Sequence, residues 1–206
     1  MDLTHDTYFL LKGALQEAFR DYLTGDPLVG DNLDRLLAHG LLVERDSVSA
    51  APAQLTLPVP LRSVSELAPE RRQAHVATIL EVMRLVYTTR RTLRTRNIGD
   101  VLEAHRAFCR IAPFTGESGS ETCDLPALAD ATDQYRAARR FVPIEPSCLL
   151  DSLALHRFLA RRGLRSRLVF GVNAEPFSAH AWLQTGDLAL NETVSYARMH
   201  TPILVL

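Results

Sequence analysis

Cysteine is scarce in this chain: Cys109, Cys123 and Cys148 are the only three in 206 residues, and no two form a Cys-x-x-Cys pair. So few, in odd number, exclude a disulfide framework, and their spacing indicates no zinc site. Charge of one sign is also lacking, with 23 basic side chains against 24 acidic ones. No global field therefore draws the chain to nucleic acid. No apolar run approaches the length of a membrane span, and residues 1–6, Met-Asp-Leu-Thr-His-Asp, have neither the basic start nor the apolar core of a signal peptide. A cytoplasmic protein with no membrane partner is expected. There is no Gly-rich phosphate loop and no internal repeat, so no nucleotide site is assigned. The histidines outside position 180 show no ligand spacing; no metal and no cofactor is expected, and Cys109 and Cys123 read as spare thiols.

What is present is a hydrophobic content of 47%, enough for one good domain or a small module joined to a larger one. The chemistry concentrates between Pro146 and Glu192. Pro146 suits a helix start, Ser147 suits its cap, and Leu150, Leu153, Ala154 and Phe158 recur at helical spacing until Gly163. Cys148 then sits in the first turn, where unpaired N–H groups and the positive end of the dipole favour a thiolate and an oxyanion. An inert buried cysteine is the competing reading.

Downstream, a β-like run over residues 167–172 precedes a strand with His180 and Trp182 on one face and Ala181 and Leu183 on the other. Thr185-Gly186-Asp187 reads as a three-residue loop, which pairs Gln184 with Leu188 and sets Glu192 opposite His180 at about 5 Å between Cβ atoms. Asp187 lies about 20 Å along the strand from His180, at the wrong end. Asn191 would suit a Cys-His-Asn set but points to the other face in this register; a two-residue turn or a bulge would change that phase.

The Cys148 helix, the strand ending Phe170-Gly171-Val172, the run Pro176-Phe177-x-x-His180-Ala181-Trp182 and the pair Asn191-Glu192 together resemble the B proteins of lasso-peptide biosynthesis, transglutaminase-like cysteine peptidases. The resemblance implies a catalytic triad of Cys148, His180 and Glu192, with Glu where the family often has Asp. It also implies a precursor-peptide leader as substrate and a separate, ATP-using, asparagine-synthetase-like lasso cyclase as partner.

The fold expected is α+β, in three parts: a small winged-helix-like module over 1–46, a linker over 47–62, and over 63–206 a helical middle leading into a transglutaminase-like (papain-like) peptidase core with an antiparallel sheet. In the module, residues 1–3 and 8–11 flank a turn as a hairpin. Leu15, Ala18, Phe19, Tyr22 and Leu23 give one helical face, and Leu33, Leu36 and Leu37 another; Leu41, Leu42 and Val43 start a strand. The second helix carries two acids and one arginine, which argues against DNA. Capture of an extended peptide on a strand edge is the other use of such a unit, and the resemblance to leader-recognition modules implies Tyr8, Phe9, Leu10, Leu33, Leu37 and Leu41 as leader-binding residues. A plain packing extension of the catalytic domain is the alternative.

In the middle, Leu67, Val76, Ile79, Leu80, Met83, Val86 and Tyr87 predict one long helix, with a break at Asn97-Ile98-Gly99, a second helix through Phe108, and a third over 125–140. The Arg90, Arg91, Arg94 and Arg96 cluster reads as a solvated helix end, or more sharply as a docking patch. Residues 202–206 predict a closing strand. The function expected is removal of a leader by a cysteine endopeptidase; the rivals are acyl transfer to an amine and a non-catalytic leader-binding scaffold.

Overall fold

Apolar spacing and turn residues account for most elements of the fold. The computed structural model describes residues 11–24, 31–39, 41–42, 57–66, 73–111 and 124–206. Two compact units are present, one within residues 7–55 and one within residues 56–206.

In the first unit, the described residues form α1 (Ala14–Thr24) and α2 (Asn32–Ala38). Ala18 and Leu36 are buried, whereas Tyr22 and Leu33, both expected inward, are exposed. The two turns of α2 present a narrow inner face, and Leu36 takes it. Leu41 and Leu42 both donate N–H to the Leu36 carbonyl. They close the end of α2 as a turn, where a strand was expected. Tyr8, Phe9, Leu10 and the predicted hairpin lie outside the described residues.

The second unit is α+β. Its helices are α3 (Val76–Thr95), α4 (Ile98–Ile111), α5 (Leu125–Arg139), α6 (Cys148–Ala160) and α7 (Val194–Arg198). Its strands are β1 (Arg62–Ser63), β2 (Arg167–Ala174), β3 (Phe177–Thr185), β4 (Leu188–Ala189) and β5 (Thr201–Val205), in the order β1-β4-β3-β2-β5. All neighbours are antiparallel except β1 with β4.

The core is built around α6. Leu150, Leu153, Ala154, Leu155, Phe158 and Leu159 are buried on every side of it, as a helix apolar all round requires. It packs on α3, α5 and β3. On α3 the inward face is Val82, Leu85, Val86 and Thr89, while Val76, Leu80 and Tyr87 point outward at 72%, 60% and 47% exposure. Of the apolar residues that predict this helix, Val86 is buried and Ile79 and Met83 are half-buried. Beside this buried face, Arg162, just after α6, binds Glu81 at 2.8 Å and lies over the Phe158 ring. Between α3 and α4 the Asn97 side chain accepts the Asp100 N–H at 2.9 Å. Gly99 therefore lies inside the first turn of α4 and does not break it.

Residues 57–62, which composition reads as linker, are part of the sheet unit. Leu57 packs on the cluster of Val169, Trp182 and Ala197, Pro58 accepts the Gln184 amide at 2.6 Å, and Arg62 and Ser63 pair beside β4. The Trp182 ring crosses over Gly171, where an added Cβ would stand 2.8 Å from the ring and 2.9 Å from the Cβ of His200.

Candidate active site

Cys148 is the first residue of α6, and the chain enters it extended at Ser147. Ser147 makes no side-chain cap bond. Asp151 reaches back from the first turn instead, its Oδ2 accepting the Ser147 N–H at 3.1 Å. Its other oxygen binds Arg139 at the end of α5, and the same guanidinium donates to the carbonyls of Val142 at 3.2 Å and Ile144 at 2.9 Å. Arg139 thereby fastens the loop between α5 and α6 and fixes where the cysteine begins. The sequence reading missed this pair; the signal was an acid in the first helical turn, where the dipole favours it.

The second positioning device is Asn191. Gln184 pairs with Ala189 and Thr185 with Leu188, so the hairpin turn has two residues and not the three expected. Gly186 supplies the positive φ, 56°, that such turns favour. The register is therefore one residue off the predicted one. Leu190 N–H donates to the Leu183 carbonyl, and a regular ladder would return the Leu183 N–H to Leu190. Asn191 Oδ1 takes that N–H at 2.7 Å. Its Nδ2 donates to Ser152 Oγ at 2.9 Å, and Ser152 donates on to the Ala181 carbonyl at 3.0 Å. By standing in for backbone, Asn191 ends the strand and ties it to α6. The edge of β3 at Ala181 is left open to the start of that helix.

Once out of the ladder, the chain turns Glu192 back. Its Oε2 lies 2.6 Å from His180 Nε2, and its Oε1 accepts the Thr193 N–H at 2.8 Å. With Nε2 committed to the carboxylate, Nδ1 is the ring nitrogen left for the thiol. Tyr196 meets the imidazole edge-on at 4.9 Å, and His200 and the Trp182 ring flank it at 5.3 and 6.1 Å. His200 is itself held between the Tyr196 carbonyl at 2.9 Å and Ser178 Oγ at 3.0 Å. The structure thus brings Cys148, His180 and Glu192 together; Leu33, Leu37 and Leu41 are in the other unit.

Electrostatics polarise this group. Hydrogen bonding to His180 holds the Cys148 thiol below its usual range against the opposing effect of burial, and the N–H groups of Ala181 and Leu149 add to it. Burial alone would lower the His180 pKa, but hydrogen bonds to Cys148 and Glu192 raise it to about 9. Burial would raise Glu192, yet the bonds from His180 and Thr193 hold it below the carboxylate range. Both shifts favour the thiolate facing an imidazolium over the neutral pair. Cys148 is exposed and opens on a cleft of about 580 Å³ lined also by Arg136, Arg140, Pro146 and Asp151.

A second cysteine-histidine group behaves oppositely. Cys109 Sγ lies 3.7 Å from His105 Nε2 and 3.8 Å from His156 Nε2. Burial pushes this thiol up to about 11 and the two imidazoles down to about 3 and 4. No thiolate forms there at neutral pH. The His105-x-x-x-Cys109 spacing, one turn of a helix, was a signal in the sequence that the reading of these histidines passed over.

Residues 115–205 match a family model described as Transglutaminase-like superfamily. The chain is also similar to the microcin J25-processing protein McjB of Escherichia coli, at 40% identity over 45 residues. That match spans 22% of this chain and 22% of the relative's length. No solved structure matches. The C-terminal part of the chain is thus transglutaminase-like, with a partial likeness to a microcin-processing protein.

Proposed function

We propose that this chain is a cysteine endopeptidase that removes the leader from a ribosomally made precursor peptide during lasso-peptide maturation. The observation that carries the reading is His180, held at 2.6 Å by Glu192 and raised to about 9 beside a thiol that is itself lowered. A thiol lowered beside a raised imidazole leans toward the ion pair, which is the activated form of the nucleophile.

The Cys148 thiolate attacks the scissile carbonyl. The Cys148 N–H, one of the unpaired donors of the first turn, binds the tetrahedral oxyanion. The His180 imidazolium gives its proton to the leaving amine, the C–N bond breaks, and a thioester remains. His180, now neutral, takes a proton from water, whose oxygen attacks the thioester; collapse returns the thiolate and the imidazolium. Glu192 keeps the proton on Nε2 throughout and so aims Nδ1 at the reacting atoms. The Ala181 N–H steadies the thiolate between turnovers.

Residues 1–46 serve as the leader-recognition module in this reading, with Tyr8, Phe9, Leu10, Leu33, Leu37 and Leu41 as contacts. Exposure of Leu33 supports its availability to a partner. Holding the leader raises the local concentration of the cleavage site. The freed amine passes to an asparagine-synthetase-like cyclase. Acyl transfer to an amine shares every step up to the thioester, and the transglutaminase-like match favours keeping it as the second reading.

The test is mass spectrometry of the precursor peptide from the same pathway, incubated with the protein and with Cys148→Ala, with and without the cyclase. A leader fragment that requires the thiol supports the peptidase, and a crosslinked product supports acyl transfer. A leader that binds but stays whole under every condition would overturn both.

A further inference from the structure

Three metal-type donors meet between α4 and α6, away from the Cys148 cleft. His105 and Cys109 stand one turn apart on α4, and His156 faces them from α6. His156 is about 12 Å along the helix axis from Cys148. His105 is fully buried and His156 is 6% exposed, in a region where apolar side chains would cost less. Their nearest approach is a 2.9 Å bond between His105 Nε2 and His156 Nδ1. His105 Nδ1 and the neighbouring Arg157 Nε are buried with no hydrogen-bond partner. A polar cluster that fails to satisfy itself calls for a reason to be there.

We infer that His105, Cys109 and His156 form a binding site for a single borderline-soft transition-metal ion of the zinc class, which clamps α4 to α6. The geometry is close to what such an ion needs. A tetrahedral site with Zn–N of about 2.1 Å and Zn–S of about 2.3 Å has N···S edges of about 3.6 Å and an N···N edge of about 3.4 Å. The two N···S separations here are 3.7 and 3.8 Å, and one donor atom from each residue falls within 4.8 Å of the others. Ion binding exchanges the bond between His105 and His156 for the metal, while His156 also has a hydrogen bond to the Ser166 backbone.

Donor chemistry agrees with this. Two imidazoles and a thiolate select zinc-class ions over magnesium or calcium. Binding converts the Cys109 thiol to a thiolate and releases its proton to solvent, and the Arg157 charge beside it eases that step. Three protein ligands leave the fourth position to water, reached from the half-exposed Cys109 side. The inference does not use Cys148 and stands apart from the peptidase reading.

The test is titration of metal-free Cys148→Ser protein with Co2+, followed by displacement with Zn2+. One ion per chain, with a thiolate-to-cobalt absorption band in the near ultraviolet and a Tm raised by about 5 °C at saturating zinc, is the expected result. Cys109→Ser, a small change at a half-exposed position, should abolish the band while its far-ultraviolet circular dichroism stays native. His156→Gln should weaken binding at least tenfold. Absence of the band in the Cys148→Ser protein, or its survival in Cys109→Ser, overturns the proposal.

Discussion

Replacing Glu192 with Gln removes one charge from the site and leaves its shape nearly intact. In the native chain His180 rises from an ordinary 6.5 to about 9 through its bonds to Cys148 and Glu192, a gap worth about 3 kcal/mol at 1.36 kcal/mol per pKa unit. If each partner supplies a comparable share, the substitution lowers the imidazole by about one pH unit. Because the folded value lies above the unfolded one, the associated stability is fully present below pH 6.5 and is lost as pH rises through about 9. The variant should lose it earlier. Carboxymethylation of Cys148 by iodoacetate reads the pair directly, since the thiolate is the nucleophile and the imidazolium attracts the reagent's carboxylate. The native rate should be bell-shaped, with its acid limb below the usual thiol range and its alkaline limb near 9. Glu192→Gln should bring the alkaline limb down by about one pH unit and move the acid limb up. Peptide cleavage should fall about a hundredfold, because glutamine no longer selects the tautomer. Peptide mapping separates Cys148 from Cys109, whose thiol near 11 should not react at neutral pH. Coincident profiles for the two proteins would refute the argument that Glu192 sets the state of His180.

Asp151→Ala should cost about 3 kcal/mol in urea unfolding, because it strands a partly buried Arg139 and frees the start of α6. It should also raise the acid limb of Cys148 alkylation. Asn191→Ala leaves the Leu183 N–H without its acceptor and should cost about 2 kcal/mol. Cleavage should fall further than stability predicts, since Glu192 is then no longer aimed; equal losses in Asn191→Ala and in a distant variant of matched stability would refute that role. Gly171→Ala forces a methyl against the Trp182 ring and His200 and should cost about 2 kcal/mol, read by thermal melting and by the environment of Trp182 fluorescence. An unchanged melting temperature would count against the close packing of strand and ring.

The two cysteine-histidine groups illustrate how local surroundings decide the fate of the same chemical pair. Cys148 sits at an exposed helix start with N–H groups turned toward it and a carboxylate holding its histidine, and its pKa falls. Cys109 sits beside two imidazoles whose charge burial suppresses, and its pKa rises. The first leans toward thiolate and the second toward thiol, which is why one is proposed as a nucleophile and the other as a metal ligand.

Patterning along the chain determined what is local here. The helix that starts at Cys148, the strand carrying His180, the closing strand at the C-terminus and the α+β class follow from 3.6- and 2-residue periodicities with Ser147, Gly163 and Gly186 as punctuation. Even Glu192 was legible as the partner of His180, although by a register that is one residue wrong. Tertiary structure alone decided the rest, because it turns on which of two satisfied arrangements wins. Whether Asn191 continues a ladder or replaces it depends on Ser152, 39 residues away. Which stripe of α3 is buried depends on its packing against α5 and α6, and whether residues 57–62 are linker or sheet depends on their contacts with Trp182 and Gln184. The sequence carries the periodicity of each segment; long-range packing and hydrogen bonds choose the phase.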